Sequence, residues 1–96
     1  MTEKLYVGNR PKSEGWGLVG EIEGEVRWLV FVRQGSSSDW LSLKIVADGL
    51  APSKANYWLG WNGQRFSQKR DTEMLAEHRP ALFKAVERFA EGYSLL

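Results

Sequence analysis

The chain has 96 residues, a net charge of +1 and no cysteine. This length suits a single domain over residues 1–96, because two domains would each be too small to bury a useful core. The lack of cysteine excludes disulfides, thiolate metal sites and a cysteine nucleophile. The longest purely apolar run, residues 28–32, is far too short for a signal peptide or a membrane span. We therefore expect a cytoplasmic protein that does not associate with a membrane.

Three runs in the first third of the chain predict strands. Residues 4–8 form a short first strand, and residues 16–22 and 26–32 form a hairpin around a turn at residues 23–25. In this register Gly20 faces Trp28 and makes room for its indole, while Glu21 faces Arg27 as an ion pair. Leu18 then faces Val30, and Trp16 faces Val32, on the same face as Gly20.

Residues 40–47 and 56–62 predict two further strands. In the first, Leu41, Leu43, Ile45 and Ala47 point one way, and Trp40, Ser42, Lys44 and Val46 point the other. In the second, Trp58 lies opposite Tyr57, Leu59 and Trp61. Asn62-Gly63 is a turn signal, so residues 64–66 are a candidate return strand.

The apolar period becomes helical from Asp71, which with Thr72 is a candidate N-cap. Pro80 predicts a break between helices over residues 72–78 and 80–91, and Gly92 predicts the end. The fold class is therefore α+β: an antiparallel sheet of four to five strands, followed by one C-terminal helix, or two broken near Pro80, on one face.

The sequence favours a non-enzymatic protein without a cofactor. His78 is the single histidine and falls on the apolar stripe of the helix, which favours a packed or capping role over that of a catalytic base. No serine lies in a nucleophile-elbow pattern. Glu21, Glu23 and Glu25 are better explained as solvated turn carboxylates than as a cation site.

The strand face opposite the cleaner apolar stripe mixes aromatic and basic residues. Flat rings for base stacking and cations for phosphates are what single-stranded nucleic acid requires. Residues 49–70 contain no acid, and their bases extend this track, although a solvated basic loop also explains such a run. The predicted binding residues for single-stranded DNA or RNA are Arg27, Phe31, Arg33, Trp40, Lys44 and Trp58, with Arg65, Lys69 and Arg70 as phosphate contacts.

A protein interface on the same face is the alternative, as in an inhibitor or assembly factor, because tryptophan and arginine are also enriched in interface hot spots. A homodimer is expected, because a short sheet has two edges and Val19, Leu29 and Phe31 fall on a face that the helix does not cover.

The order of elements resembles that of the positive-cofactor-four transcriptional coactivators and the Whirly proteins. The likeness rests on strands first, a long hairpin over residues 16–32, further strands to Asn62 and an amphipathic helix over residues 72–91. It covers most of the chain as topology, without a motif matched residue by residue, and the Pro80 break departs from a single C-terminal helix. The resemblance implies oligomers that bind single-stranded DNA on a curved antiparallel sheet.

Overall fold

A computed structural model describes residues 1–6, 15–34, 41–67 and 69–95 of the chain. Its elements are β1 (Thr2–Leu5), β2 (Gly17–Glu23), β3 (Arg27–Gln34), β4 (Leu41–Ala47), β5 (Tyr57–Trp61), α1 (Lys69–His78) and α2 (Pro80–Ser94), with a short 3-10 turn at Pro52–Lys54. The strands form one antiparallel sheet in chain order. The predicted α+β class, sheet first and helices last, is confirmed.

One sheet face packs against the two helices, and we call it the core face. Alternate strand residues supply it, as period-two side chains must. The buried residues of this core are Val19, Ile22, Trp28, Val30, Val32, Leu43, Ile45, Tyr57, Leu59 and Trp61 from the sheet, with Leu75, Leu82, Ala85, Val86, Phe89 and Ala90 from the helices. The alternation predicted for β4 and β5 is confirmed for the buried Leu43, Ile45, Tyr57, Leu59 and Trp61.

The predicted register of the β2–β3 hairpin is wrong by two residues near its turn. Ile22 pairs with Trp28 and Gly20 with Val30, so the turn lies at Gly24-Glu25-Val26 instead of at residues 23–25. A shift of two keeps each side chain on its predicted face, because faces alternate with a period of two. The alternation of apolar residues therefore could not reveal the error.

A β-bulge between Leu18 and Gly20 then changes the faces of the residues before it. Leu18 pairs with Phe31 and Gly17 with Val32, so Val19 is the extra residue of β2. Val19 is buried in the core, which corrects its predicted position on the uncovered face. Leu18, predicted opposite Val30, lies instead beside Phe31 on the other face.

Gly20 accommodates a phenylalanine from α2, and not the Trp28 indole that the sequence suggested. A Cβ at Gly20 would lie 2.4 Å from Cε2 of Phe89 and 2.3 Å from the backbone oxygen of Lys4. The missing side chain thus lets the Phe89 ring approach the backbone of the sheet, and it fixes the distance between α2 and β2.

The first residue of α1 and the last residue of α2 differ from the predicted ones. α1 begins at Lys69, so Asp71 is not its N-cap, and the Asp71 carboxylate accepts a hydrogen bond from the Trp58 backbone N–H at 2.8 Å. α2 begins at Pro80 as predicted but continues through Gly92 to Ser94, whose hydroxyl accepts from the Trp61 indole N–H at 2.9 Å. His78 is exposed, so its predicted place on the buried stripe is wrong.

The outer edge of β5 is occupied by side chains and turn residues of the same chain. Asp71 accepts from the Trp58 N–H, and the Ser67 N–H donates to the Gly60 carbonyl at 2.8 Å. Beyond β5, Phe66 makes one isolated bridge with Trp61, so the predicted return strand is reduced to a single pair. Addition of another strand at this edge is therefore disfavoured.

We predict that Gly20→Ala lowers the free energy of unfolding by about 1 to 3 kcal/mol, because the methyl group would overlap Phe89 and rigid backbone. Gly24→Ala is the matched control, since a Cβ there meets only the flexible Met1 side chain, at 3.0 Å. Urea denaturation of both variants measures the difference. Equal stabilities for the two variants would contradict the close approach of Phe89.

Candidate nucleic-acid interface

The sheet face turned away from the helices, which we call the outer face, carries the predicted binding residues of β3, β4 and β5. Leu18, Phe31, Lys44 and Trp58 are successive cross-strand partners and form one row across four strands. Arg33 follows two residues after Phe31 on the same face. The structure therefore brings Phe31, Arg33, Lys44 and Trp58 together, as alternation along the strands predicted.

Lys44 lies between two tryptophans. Its Nζ is 4.5 Å from the ring centroid of Trp16 and 4.9 Å from that of Trp58. The two indoles meet edge to face at 5.9 Å, and the Arg33 guanidinium lies 5.0 Å from the Trp16 ring. These distances fall within the range of cation–π attraction, which contributes about 0.5 to 1 kcal/mol per pair at exposed sites. We call Trp16, Arg33, Lys44 and Trp58 the tryptophan–lysine cluster.

Trp16 is absent from the predicted binding residues because the predicted register places it on the core face, opposite Val32. The bulge in β2 pairs Gly17 with Val32 instead, and Trp16 therefore reaches the cations of the outer face. A bulge shifts the face of every residue before it. Gly20 is the signal in the sequence that points to such an irregularity, because a glycine inside a strand often marks a bulge.

The two cations of the cluster, Arg33 and Lys44, have no carboxylate within ion-pairing distance among the described residues. An aromatic ring attracts a cation through its quadrupole without neutralising it. Trp58 is also 41% exposed, so part of its ring remains accessible to a ligand. The cluster thus combines an exposed aromatic surface with fixed positive charges.

Arg27 differs from these cations because acids surround it. It contacts Asp48 at 3.1 Å and Glu21 at 3.2 Å. The hydrogen bond that Arg27 donates to the Asp48 carboxylate is the main cause that raises the pKa of Arg27 above its ordinary value. Arg27 also lies four residues before Phe31, about 13 Å along β3. The structure therefore separates Arg27 from the cluster.

The remaining predicted residues lie beyond β5 or outside the described residues. Arg70 is exposed in the first turn of α1, directly before Asp71, whose carboxylate binds the Trp58 backbone. Arg65 is exposed in the turn after β5, where the Asn62 side chain accepts from its N–H at 2.9 Å. Lys69 begins α1, and its side chain is not described. Trp40 lies outside the described residues.

A buried carboxylate lies in the next row of the outer face. Glu21 is 6% exposed, pairs with Leu29 across the strands and contacts Arg27, and the Tyr6 hydroxyl donates to its carboxylate. The ion pair that the sequence predicted between Glu21 and Arg27 is present, although the two residues are diagonal and not directly opposite. Burial is the main cause that raises the pKa of Tyr6, and the negative charge of Glu21 adds to it.

Comparisons with protein-family models, with curated proteins and with solved structures found no match to this chain. Within the described ranges, no helix is long and apolar enough to cross a membrane. The same residues contain no group of three or more histidine or acidic side chains arranged to hold a metal ion. The chemistry of the outer face is therefore the basis for inferring function.

We predict that Trp16→Leu releases Lys44 from its position between the indoles. In the native protein the Lys44 side-chain methylenes should show upfield ring-current shifts in NMR spectra, and these shifts should shrink in Trp16→Leu. Tyr93→Leu, a substitution on α2, serves as the control that removes an aromatic ring from another part of the molecule. Unshifted Lys44 resonances in the native protein would contradict the cluster geometry.

We predict that Tyr6 titrates above the ordinary tyrosine pKa of about 10. The folded state favours the neutral phenol, so the stability from its contact with Glu21 is fully present below pH ~10 and is lost as the pH rises through the raised pKa. Tyrosinate absorbance, with Tyr6→Phe for assignment, measures the midpoint. Glu21→Gln should lower that midpoint, and an ordinary midpoint in the native protein would refute the contact.

Proposed function

We propose that this chain is a non-enzymatic protein that binds single-stranded nucleic acid on the tryptophan–lysine cluster. The observation that carries the proposal is the pair of cations, Arg33 and Lys44, held beside indole rings with no carboxylate partner among the described residues. Trp58 stacks on a base through its exposed surface, and Lys44 and Arg33 contact phosphates. Binding of this kind tolerates many sequences, because every base has a face that stacks.

The proposed path of the strand runs across the sheet. Arg33 lies on β3, Lys44 on β4 and Trp58 on β5, and Arg70 lies beyond the edge of β5. Neighbouring strands are about 4.8 Å apart, so this path from β3 to α1 is roughly 15 Å long. Such a length corresponds to a few nucleotides, and Phe31 beside Lys44 widens the apolar part of the surface.

The topological likeness to the positive-cofactor-four and Whirly proteins supports the proposed function at the level of the fold, because strands precede helices in this chain as in those families. It also motivates the proposal that the chain acts as a homodimer. With the β5 edge occupied by Asp71 and Ser67, we propose that two copies meet at β1, which leaves the outer face free for nucleic acid. The cytoplasm remains the proposed location.

A protein partner is the second candidate for the same surface. Leu18, Leu29 and Phe31 are only partly buried on the outer face, next to the exposed Trp58. Apolar and aromatic residues with flanking arginine and lysine are typical of interface hot spots. This candidate differs from the first because its affinity would depend weakly on salt.

The test is a titration of a labelled random single-stranded oligonucleotide, followed by fluorescence anisotropy and by tryptophan quenching at several salt concentrations. Trp58→Ala should weaken binding by about 1 to 3 kcal/mol, because it removes the stacking surface. Met74→Ala is the matched control, since Met74 is a similarly exposed apolar residue on α1.

Arg33→Gln and Lys44→Gln should each reduce the slope of log K against log salt by roughly 0.7, since each lost phosphate contact leaves counterions in place. Lys84→Gln removes one charge from α2 and should leave the slope unchanged. No change in anisotropy at low salt would refute nucleic-acid binding. A specific protein partner captured in that case, or a stable dimer seen by light scattering that Phe31→Glu dissociates, would support the second candidate.

A further inference from the structure

A second concave surface lies on the helix side of the sheet and shares no residue with the tryptophan–lysine cluster. It is a cleft of about 400 Å³ between the β2–β3 turn and the junction of the two helices. Glu25 and Val26 line one wall, Arg79 and Ala81 the other, and Trp28 lies between them. This volume lies in the range of small-molecule sites, which are commonly apolar with a few polar groups.

The apolar part of the cleft is accessible to a ligand. Val26 is 49% exposed although it is a large apolar residue, and Met1 at the same wall is equally exposed. Trp28 itself is buried, and its ring centroid lies 6.4 Å from that of Tyr57, so this packing fixes the position of the indole beneath the cleft. An apolar group placed here would remove Val26 and Met1 from water, which favours binding.

Two unpaired charges of opposite sign lie on the opposing walls. The Arg79 guanidinium is 5.0 Å from the Trp28 ring, and no carboxylate of the described residues pairs with it. Glu25 likewise has no cationic partner within the described part of the chain. α2 begins beside Arg79 with no acidic residue in its first turn, so no neighbouring acid of that turn competes for the guanidinium.

We propose that this cleft binds a small zwitterion with an apolar side chain, namely an apolar α-amino acid. Its carboxylate pairs with Arg79, its ammonium pairs with Glu25, and its side chain packs against Val26 and Met1. A purely anionic ligand would face the carboxylate of Glu25, and a purely cationic ligand would face Arg79. Only a ligand that carries both charges satisfies both walls.

The test is a titration of the whole chain with L-phenylalanine, followed by two-dimensional amide NMR. The resonances of the Trp28 indole N–H and of the Val26 and Ala81 amides should shift in a saturable manner, with a dissociation constant on the order of 1 mM for so small a ligand. N-acetyl-L-phenylalanine lacks the ammonium and L-phenylalaninamide lacks the carboxylate. Each should bind at least about tenfold more weakly, because one wall charge is left unpaired.

Variants of Arg79 and Glu25 measure the contribution of each wall to binding. Arg79→Gln should weaken L-phenylalanine binding about tenfold and leave binding of the amide analogue unaffected. Glu25→Gln should also weaken L-phenylalanine binding about tenfold, but it should leave binding of the N-acetyl analogue unaffected. Lys84→Gln on the same helix is the matched control and should change nothing. If Arg79→Gln disturbs the fold, Arg79→Lys keeps the charge and should retain most of the affinity. No saturable shift, or equal affinity for all three probes, would overturn the proposal.

Discussion

The irregular segment of β2 from Leu18 to Gly20 determines how both faces of the sheet are built. Gly20 has no side chain, so the Phe89 ring of α2 lies against the backbone of β1 and β2. The bulge beside it turns Val19 into the core and moves Leu18 to the outer face. Trp16 reaches Lys44 through the same shift. One extra residue in one strand thus sets the position of the helix layer and completes the tryptophan–lysine cluster.

The sequence predicts the sheet well where period-two alternation is strict, and poorly where a local irregularity decides. β4 and β5 follow their alternation, and Pro80 starts α2 as its fixed φ and missing N–H require. The hairpin turn was misplaced because a shift of two residues preserves every face. The end of α2 was misplaced because Ser94, beyond Gly92, binds the Trp61 indole, and such a tertiary contact outweighs the local preference of glycine to end a helix.

The candidate site shows the same division. Phe31, Lys44 and Trp58 form a row that alternation alone could identify, because each sits on the same face of a regular strand. Trp16 depended on the bulge and was missed. Arg27 was included because it shares their face, but Asp48, which pairs with it, lies in the loop after β4, where alternation carries no information. Identifying a face is therefore easier from sequence than identifying which of its charges are unpaired.

The contrast between Arg27 and Lys44 explains why a chain with a net charge of only +1 can still present a positive surface. Arg27 is held in place by two carboxylates, and its charge is cancelled locally. Lys44 is held in place by two indoles, which restrict its motion without adding an opposite charge. The Arg33 guanidinium lies against the same Trp16 ring, so two positive charges are placed side by side there. On the function we propose, these charges attract an anionic partner that also offers a flat apolar surface to Trp58, which is the combination found in unpaired nucleotides.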